Sequence, residues 1–199
     1  MTVVSHAAIG LAAIALAAGT GLGAAGAAHA DGPTDPVVTR AIEAAPWVEL
    51  KVGDRGYRVA AVRCFLTQWG FFNGCAPGTP GGDEYTADFA EAVKRYQRAR
   101  DLPDTGVIDA GTWVVIRTDF GVLKLNDRRT NQIKGAQYAL KVLLPRPGLK
   151  VDGKYGPDTA KAVRDFQAKK GIGVDGDFGP LTFKAAFDSK AEARGIPGR

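Results

Sequence analysis

Asp152-Gly153-Lys154-Tyr155-Gly156-Pro157-Asp158-Thr159 is followed, twenty-three residues later, by Asp175-Gly176-Asp177-Phe178-Gly179-Pro180-Leu181-Thr182. Each stretch reads as a turn that opens a helix. Asp-Gly makes a tight turn with positive φ at the glycine, and Gly-Pro sets proline at the first helical position. The aromatic between them either plugs the core or faces a groove. Thr falls at the third helical position, beside donors that a helix start leaves unpaired.

Outward from these turns the chain repeats itself. Ala162-Val163-Arg164-Asp165-Phe166-Gln167 matches Ala92-Val93-Lys94-Arg95-Tyr96-Gln97 seventy residues upstream, and the same offset pairs Tyr155 with Tyr85 and Gly176 with Gly106. Further upstream the offset becomes 74, so that Ile133, Ala136, Leu140 and Leu143 overlay Val59, Val62, Leu66 and Trp69. Both sets follow i, i+3, i+7, i+10, the stripe of an amphipathic helix. The change of offset gives copy one four extra residues between its first two helices. Three helices are expected in copy two, at about Asn126–Leu144 (ended by Pro145), Pro157–Lys170 and Pro180–Ser189. Copy one gives about Arg58–Trp69, Asp88–Arg100 and Gly111–Thr118. Strand-length alternating runs are missing, so the expected class is all-α: two tandem three-helix modules, at 50–118 and 121–189, behind an extended linker at 31–49.

A first helix, D-G-x-[FY]-G-P-x-T, a helix carrying A-V-x-x-F-Q and a second D-G-x-[FY]-G-P-x-T resembles the peptidoglycan-binding-like domain. That family is a three-helix module commonly attached to cell-wall amidases, carboxypeptidases and transpeptidases. The resemblance covers about 121–187 strongly and about 50–116 more loosely. Copy one departs from it, with Thr86-Ala87 and Asp109-Ala110 where copy two has Gly156-Pro157 and Gly179-Pro180. What the resemblance implies is binding to bacterial peptidoglycan, with ligand contacts from Asp152, Gly153, Tyr155, Gly156, Asp175, Gly176 and Phe178. From the residues alone, the glycines are backbone devices first, the two Asp accept local backbone bonds, and Tyr155 and Phe178 divide between core and sugar contact. Trp69 and Trp113 read as core, and Trp47 as either an anchor or an exposed contact.

The first thirty residues hold no Lys, Arg, Asp or Glu and contain both histidines, His6 and His29. Their apolar run from Ala7 to Ala18 and the ending Ala28-His29-Ala30 suit a signal peptide cleaved before Asp31. An uncleaved anchor over about Ala7–Ala28 is the alternative. Once the leader is removed, no stable membrane span is expected, and the protein is secreted and associated with the cell wall. Cys64 and Cys75, eleven apart, then read as a disulfide that ties the insertion to helix one, the alternative being two free thiols. Two such ligands alone cannot build a structural zinc site. No metal or cofactor is expected.

From Asp31 onward the chain has no histidine, which removes imidazole bases, Cys-His transfer and His-ligated zinc chemistry. A two-carboxylate glycosidase would have to draw on Asp83, Glu84, Asp88, Glu91 and Asp109, acids with simpler roles at turns and helix starts. The expected protein is therefore not an enzyme. Its net charge of +5 is mostly interspersed, densest at Arg128-Arg129, and suits anionic wall polymers. No zinc finger, RNP signature or long basic tract points to nucleic acid. The alternative function is a secreted interaction or inhibitor protein on the same scaffold, gripping a partner such as a cell-wall enzyme.

Overall fold

The computed structural model describes residues 30–144 and 148–193. The expected signal peptide, as far as His29, and Pro145 lie outside the described residues. Within them the protein is all-helical, with order α1 (Pro36–Glu43), α2 (Tyr57–Gln68), α3 (Ala87–Arg98), α4 (Ala110–Phe120), α5 (Thr130–Leu143), α6 (Pro157–Lys170) and α7 (Pro180–Phe187). Helices α2–α4 form module one and α5–α7 module two. In each, the segment before the first helix meets the residue before the third as one antiparallel bridge, Leu50 with Ile108 and Leu123 with Phe178.

Two elements differ from expectation. Helix α5 begins four residues later than Asn126, because Asn126 has φ +67° and the Asp127 carboxylate accepts from the Arg129 N–H at 2.9 Å, forming a turn instead. The stretch expected to be extended, 31–49, contains α1. Asp35 caps it, accepting from the Val37 N–H at 2.7 Å, Pro36 occupies the first turn, and Val38 and Ile42 face inward.

The modules are not separate beads. Helix α2 packs along α5 more extensively than any other described pair, and α4 meets α7. Equivalent elements therefore meet each other, as they do about a pseudo-two-fold axis. Ala61 and Gly135, equivalent at the offset of 74, mark that axis. A Cβ on Gly135 would lie 2.5 Å from the Phe65 ring and 3.0 Å from the Ala61 carbonyl oxygen. Trp113 and Phe183, equivalent at 70, also touch edge to face at 6.2 Å. Around this contact Phe65, Phe120, Phe183 and Phe187 form one aromatic cluster, with centroids 4.7–5.7 Å apart for the pairs Phe183–Phe187, Phe120–Phe183, Phe65–Phe120 and Phe65–Phe187. Every residue from Leu181 to Asp188 is buried. A helix apolar on all sides needs neighbours on all sides, and α7 finds them in both modules and in α1.

The N-terminal segment supplies the rest of that enclosure. Trp47 stacks on Trp113 at 5.5 Å, with the planes 8° apart, and Lys184 Nζ sits 4.0 Å from the Trp47 ring centre while donating to the Ala45 carbonyl. Trp113 Nε1 donates to the Val48 carbonyl at 2.7 Å, and Arg117 grips Glu43 through both nitrogens at 2.9 and 2.5 Å. Trp47 is thus an anchor. Trp113 is fully buried, and Trp69, half-buried, stacks on Tyr96 at 5.5 Å.

In module one Cys64 and Cys75 are bonded, Cα to Cα 4.3 Å. The insertion that this bond ties down lays Phe72 against Phe89 and Phe71 against Tyr96, at 5.0 and 5.3 Å.

Candidate functional site

Each Asp-Gly turn of module two is organised around one buried glutamine amide. Gln137, on α5, accepts from the Gly153 N–H at 2.8 Å through Oε1. Its Nε2 reaches Asp152 Oδ1 and the Lys154 carbonyl at 3.0 Å each and Thr159 Oγ1 at 2.9 Å. Gln167, on α6, repeats the pattern at the second turn. It accepts from the Asp175 and Gly176 N–H groups at 3.1 and 3.0 Å and donates to Asp175 Oδ1 at 2.7 Å and the Asp177 carbonyl at 2.9 Å. In both turns the aspartate also accepts from the N–H two residues on, 2.9 Å for Lys154 and 2.8 Å for Asp177. The bond from the Lys154 N–H, with that from Gln137, holds the Asp152 carboxyl below the usual carboxylate range.

Tyr155 and Phe178 are 2% and 0% exposed. Their rings plug the core, and no face is left to stack on a sugar. The Tyr155 hydroxyl donates to the Gly176 carbonyl at 2.9 Å, joining one turn to the other, and burial pushes its phenol well above the ordinary tyrosine range. Gly153 and Gly176 have φ of +76° and +88°, so they are glycines for the turn. Their N–H groups are engaged by the two glutamines. The sequence marks Gln167 through the repeated A-V-x-x-F-Q motif but does not mark Gln137. The available signal was a glutamine beside Ile133, Ala136 and Leu140 on a buried stripe, where an amide has to find partners.

The two turns differ in what covers them. The first borders an open cleft of about 310 Å³. One wall is Gly153, Lys154 and the backbone of Tyr155 and Gly156; the other is Asn126, Asp127, Arg128 and Thr130. The walls are tied at the base, where the Asn126 N–H donates to the Tyr155 carbonyl at 2.9 Å. Arg129 braces the far wall, holding Asp127 at 2.5 Å and the Phe120 carbonyl at 2.9 Å. Arg128 and Lys154 stand exposed on the rim, one on each side. Such a cleft offers backbone polar groups, a hydroxyl and two cations, the right set for a ligand carrying amides and carboxylates.

The second turn is covered by the chain's own N-terminal strap. Asp175 Oδ2 accepts from the Asp31 and Gly32 N–H groups at 2.6 and 2.9 Å. The Asp31 carboxylate caps α7, accepting from Leu181 N–H at 2.7 Å, Thr182 N–H at 2.9 Å and the Thr182 hydroxyl. Burial raises the Asp31 carboxyl above its ordinary range despite those bonds, and the charge of Asp175 adds to the rise. Of the seven residues that sequence and resemblance single out, Asp152, Gly153, Tyr155 and Gly156 gather at the first turn, three of them lining the cleft. Asp175, Gly176 and Phe178 gather at the covered second turn.

In module one a cleft of about 340 Å³ lies between 48–50, 54–58 and Glu192, and none of residues 83–86 lines it. Arg63 stands where Gln137 stands, donating to the Glu84 carbonyl at 2.8 Å, and its guanidinium lies over Phe72 at 4.7 Å. Glu84 replaces Lys154 at the rim and pairs with Arg55. Its second turn keeps the glutamine device, with Gln97 accepting from the Gly106 N–H at 2.9 Å and donating to the Val107 carbonyl at 2.8 Å. Asp109 caps its own helix α4, accepting from Thr112 N–H at 2.8 Å. Among the described residues no group of three His, Cys, Asp or Glu is arranged to hold a metal ion.

Comparison with known proteins agrees with this internal symmetry. A family model described as "Putative peptidoglycan binding domain" matches residues 55–116 and again 129–186, one match for each module. Searches of curated proteins and of solved structures return no match. The two matches span more than half of the chain and coincide with the two helix triplets, and the chain belongs to the peptidoglycan binding domain family as a tandem pair.

Proposed function

We propose that this is a secreted, non-catalytic protein that associates with the cell wall by binding peptidoglycan in the module-two cleft between residues 126–130 and 153–156. The observation that carries the reading is the difference between the turns: of the two family motifs in module two, only the first leaves an open polar cleft. Arg128 and Lys154 flank it as cations, and stem peptides of the wall carry the carboxylates that such cations recognise. Secretion rests on the charge-free leader and its Ala28-His29-Ala30 ending. No helix among the described residues is long and apolar enough to cross a membrane.

The non-catalytic part of the reading is supported by where the acids sit. Glu84 pairs with Arg55, Glu91 with Lys94 at 2.8 Å, and Asp109 caps a helix. Each of these three carboxylates is already engaged in a structural contact of its own module.

Sedimentation with purified sacculi tests the function. The protein should pellet with the wall, and Arg128→Glu combined with Lys154→Glu should leave it in the supernatant with its helical signal unchanged. Wild-type protein that stays in the supernatant would overturn wall binding and turn the search toward a protein partner.

A further inference from the structure

The second turn of module two holds something its counterpart in module one does not. Asp109 caps α4 from its own position, but the equivalent residue, Gly179, has no side chain. The vacancy is filled from the far end of the chain by Asp31, whose carboxylate makes the three bonds to Leu181 and Thr182 described above. The fit is close. A Cβ on Gly179 would meet Asp31 Oδ2 at 2.5 Å and Ala30 Cβ at 2.8 Å, and a Cβ on Gly173 would meet the backbone of Gly32, Pro33 and Asp31 at 2.6–2.8 Å. The Gly173 N–H in turn donates to the Thr34 hydroxyl at 2.8 Å.

Two features of this seat concern the Asp31 nitrogen itself. It is turned onto a carboxylate, 2.6 Å from Asp175 Oδ2, in a residue only 5% exposed. Two acids, Asp31 and Asp175, are thereby brought together, with Asp177 two residues further on, and no described ion pair neutralises them. Asp31 also has φ +87°, a conformation disfavoured for a residue with a side chain. That torsion is defined by the carbonyl carbon of Ala30. It ceases to exist when the Ala30–Asp31 bond is broken.

We propose that the turn at 175–182 is a receptor for the free α-ammonium of Asp31, so that leader removal locks the N-terminal strap onto module two. Hydrolysis by a leader peptidase adds water across the Ala30–Asp31 bond. The released leader keeps the Ala30 carboxylate, and the mature chain gains an ammonium at Asp31. At this position the new cation turns a neutral N–H contact with Asp175 into a charge-assisted pair, lowers the repulsion between the two acids and removes the strained torsion. An uncleaved chain, or one trimmed one residue off register, presents no ammonium there.

This inference rests on leader removal before Asp31, and the two can fail separately. N-terminal sequencing of the exported protein tests the cleavage. The receptor is tested on purified chains ending at Arg199 and beginning either at Asp31 or at Ala30, released from a fusion so that neither depends on cellular processing. The Asp31 chain should melt higher by about 2–4 °C. Asp175→Asn, which keeps an acceptor but removes the charge, should abolish the difference. In the Asp31 chain, the α-amine should also react with an acylating reagent at least about tenfold more slowly than in its Asp175→Asn variant. Equal melting of the two chains, or a difference that survives Asp175→Asn, would overturn the proposal.

Discussion

At the turn before its second helix, module two uses the neutral amide of Gln137 where module one uses the guanidinium of Arg63. The amide both donates and accepts, so it satisfies the turn from below and leaves the space above it open. A guanidinium only donates. Arg63 reaches the Glu84 carbonyl, but its Nε is buried with no partner, and the group lies against Phe72 and Phe89, 4.7 and 5.5 Å from their ring centres. The insertion that carries Phe72 is the one stapled by Cys64–Cys75. One change of residue type therefore goes with an aromatic cover, a disulfide and a rim closed by Arg55 and Glu84. The comparison teaches that a repeated backbone does not repeat a site: one module presents its turn, and the other fills it in.

The contrast is open to measurement. The largest effect is expected from Gln137→Leu, which leaves the Gly153 N–H buried without its acceptor and removes the amide that donates to Asp152, the Lys154 carbonyl and Thr159. It should cost about 3 kcal/mol or more in urea unfolding, whereas Arg63→Leu, which also removes an unsatisfied group, should cost about 1 kcal/mol. Equal losses would erase the distinction between the turns. Replacing both cysteines by serine should lower stability by about 3 kcal/mol on the chain-entropy estimate while leaving sacculus binding unchanged. A fall in binding would mean that the stapled module takes part after all. Arg128→Ala and Lys154→Ala should each weaken binding to sacculi roughly tenfold, in line with loss of a hydrogen bond to a charged group. Arg55→Ala, on the rim of the closed module, should leave binding unaltered, and any loss there would shift the site. The smallest change is expected from Asp109→Ala, about 1 kcal/mol for a helix cap within its own module. Asp31→Ala should cost more, because the strap is lost along with the cap.

Much of this was legible in the chain itself. The repeat offsets of 70 and 74 located all six module helices, because an amphipathic stripe and a Gly-Pro start are local signals. Val59, Val62, Leu66, Ile133, Ala136, Leu140 and Leu143 lie on that stripe, and they are buried. The site was only partly legible. An aromatic beside an Asp-Gly turn has the same spacing whether it plugs a core or faces a ligand, and only the packing of Tyr155 and Phe178 decides it. Helix α1 escaped the reading of 31–49 as an extended linker, because at eight residues it is too short to show a repeated stripe, although Asp35-Pro36 is a proper helix start. The seat of Asp31 was beyond local reading, since its partners lie 144 to 151 residues away.

That separation has a consequence for the order in which the chain assembles. A polypeptide is made from its N-terminus, so α1, Trp47 and the strap exist well before the helix they enclose. Until α7 emerges, Trp113 lacks Phe183 and Phe187, and the Asp31 carboxylate has no N–H groups to cap. Contacts between such distant segments close slowly because the intervening loop must be drawn in first. A truncation that removes α7 should therefore unsettle module one as well, and a nascent chain that stops short of α7 should remain open to proteases in both modules. The last of the described helices completes the fold of the segment that opens at Asp31.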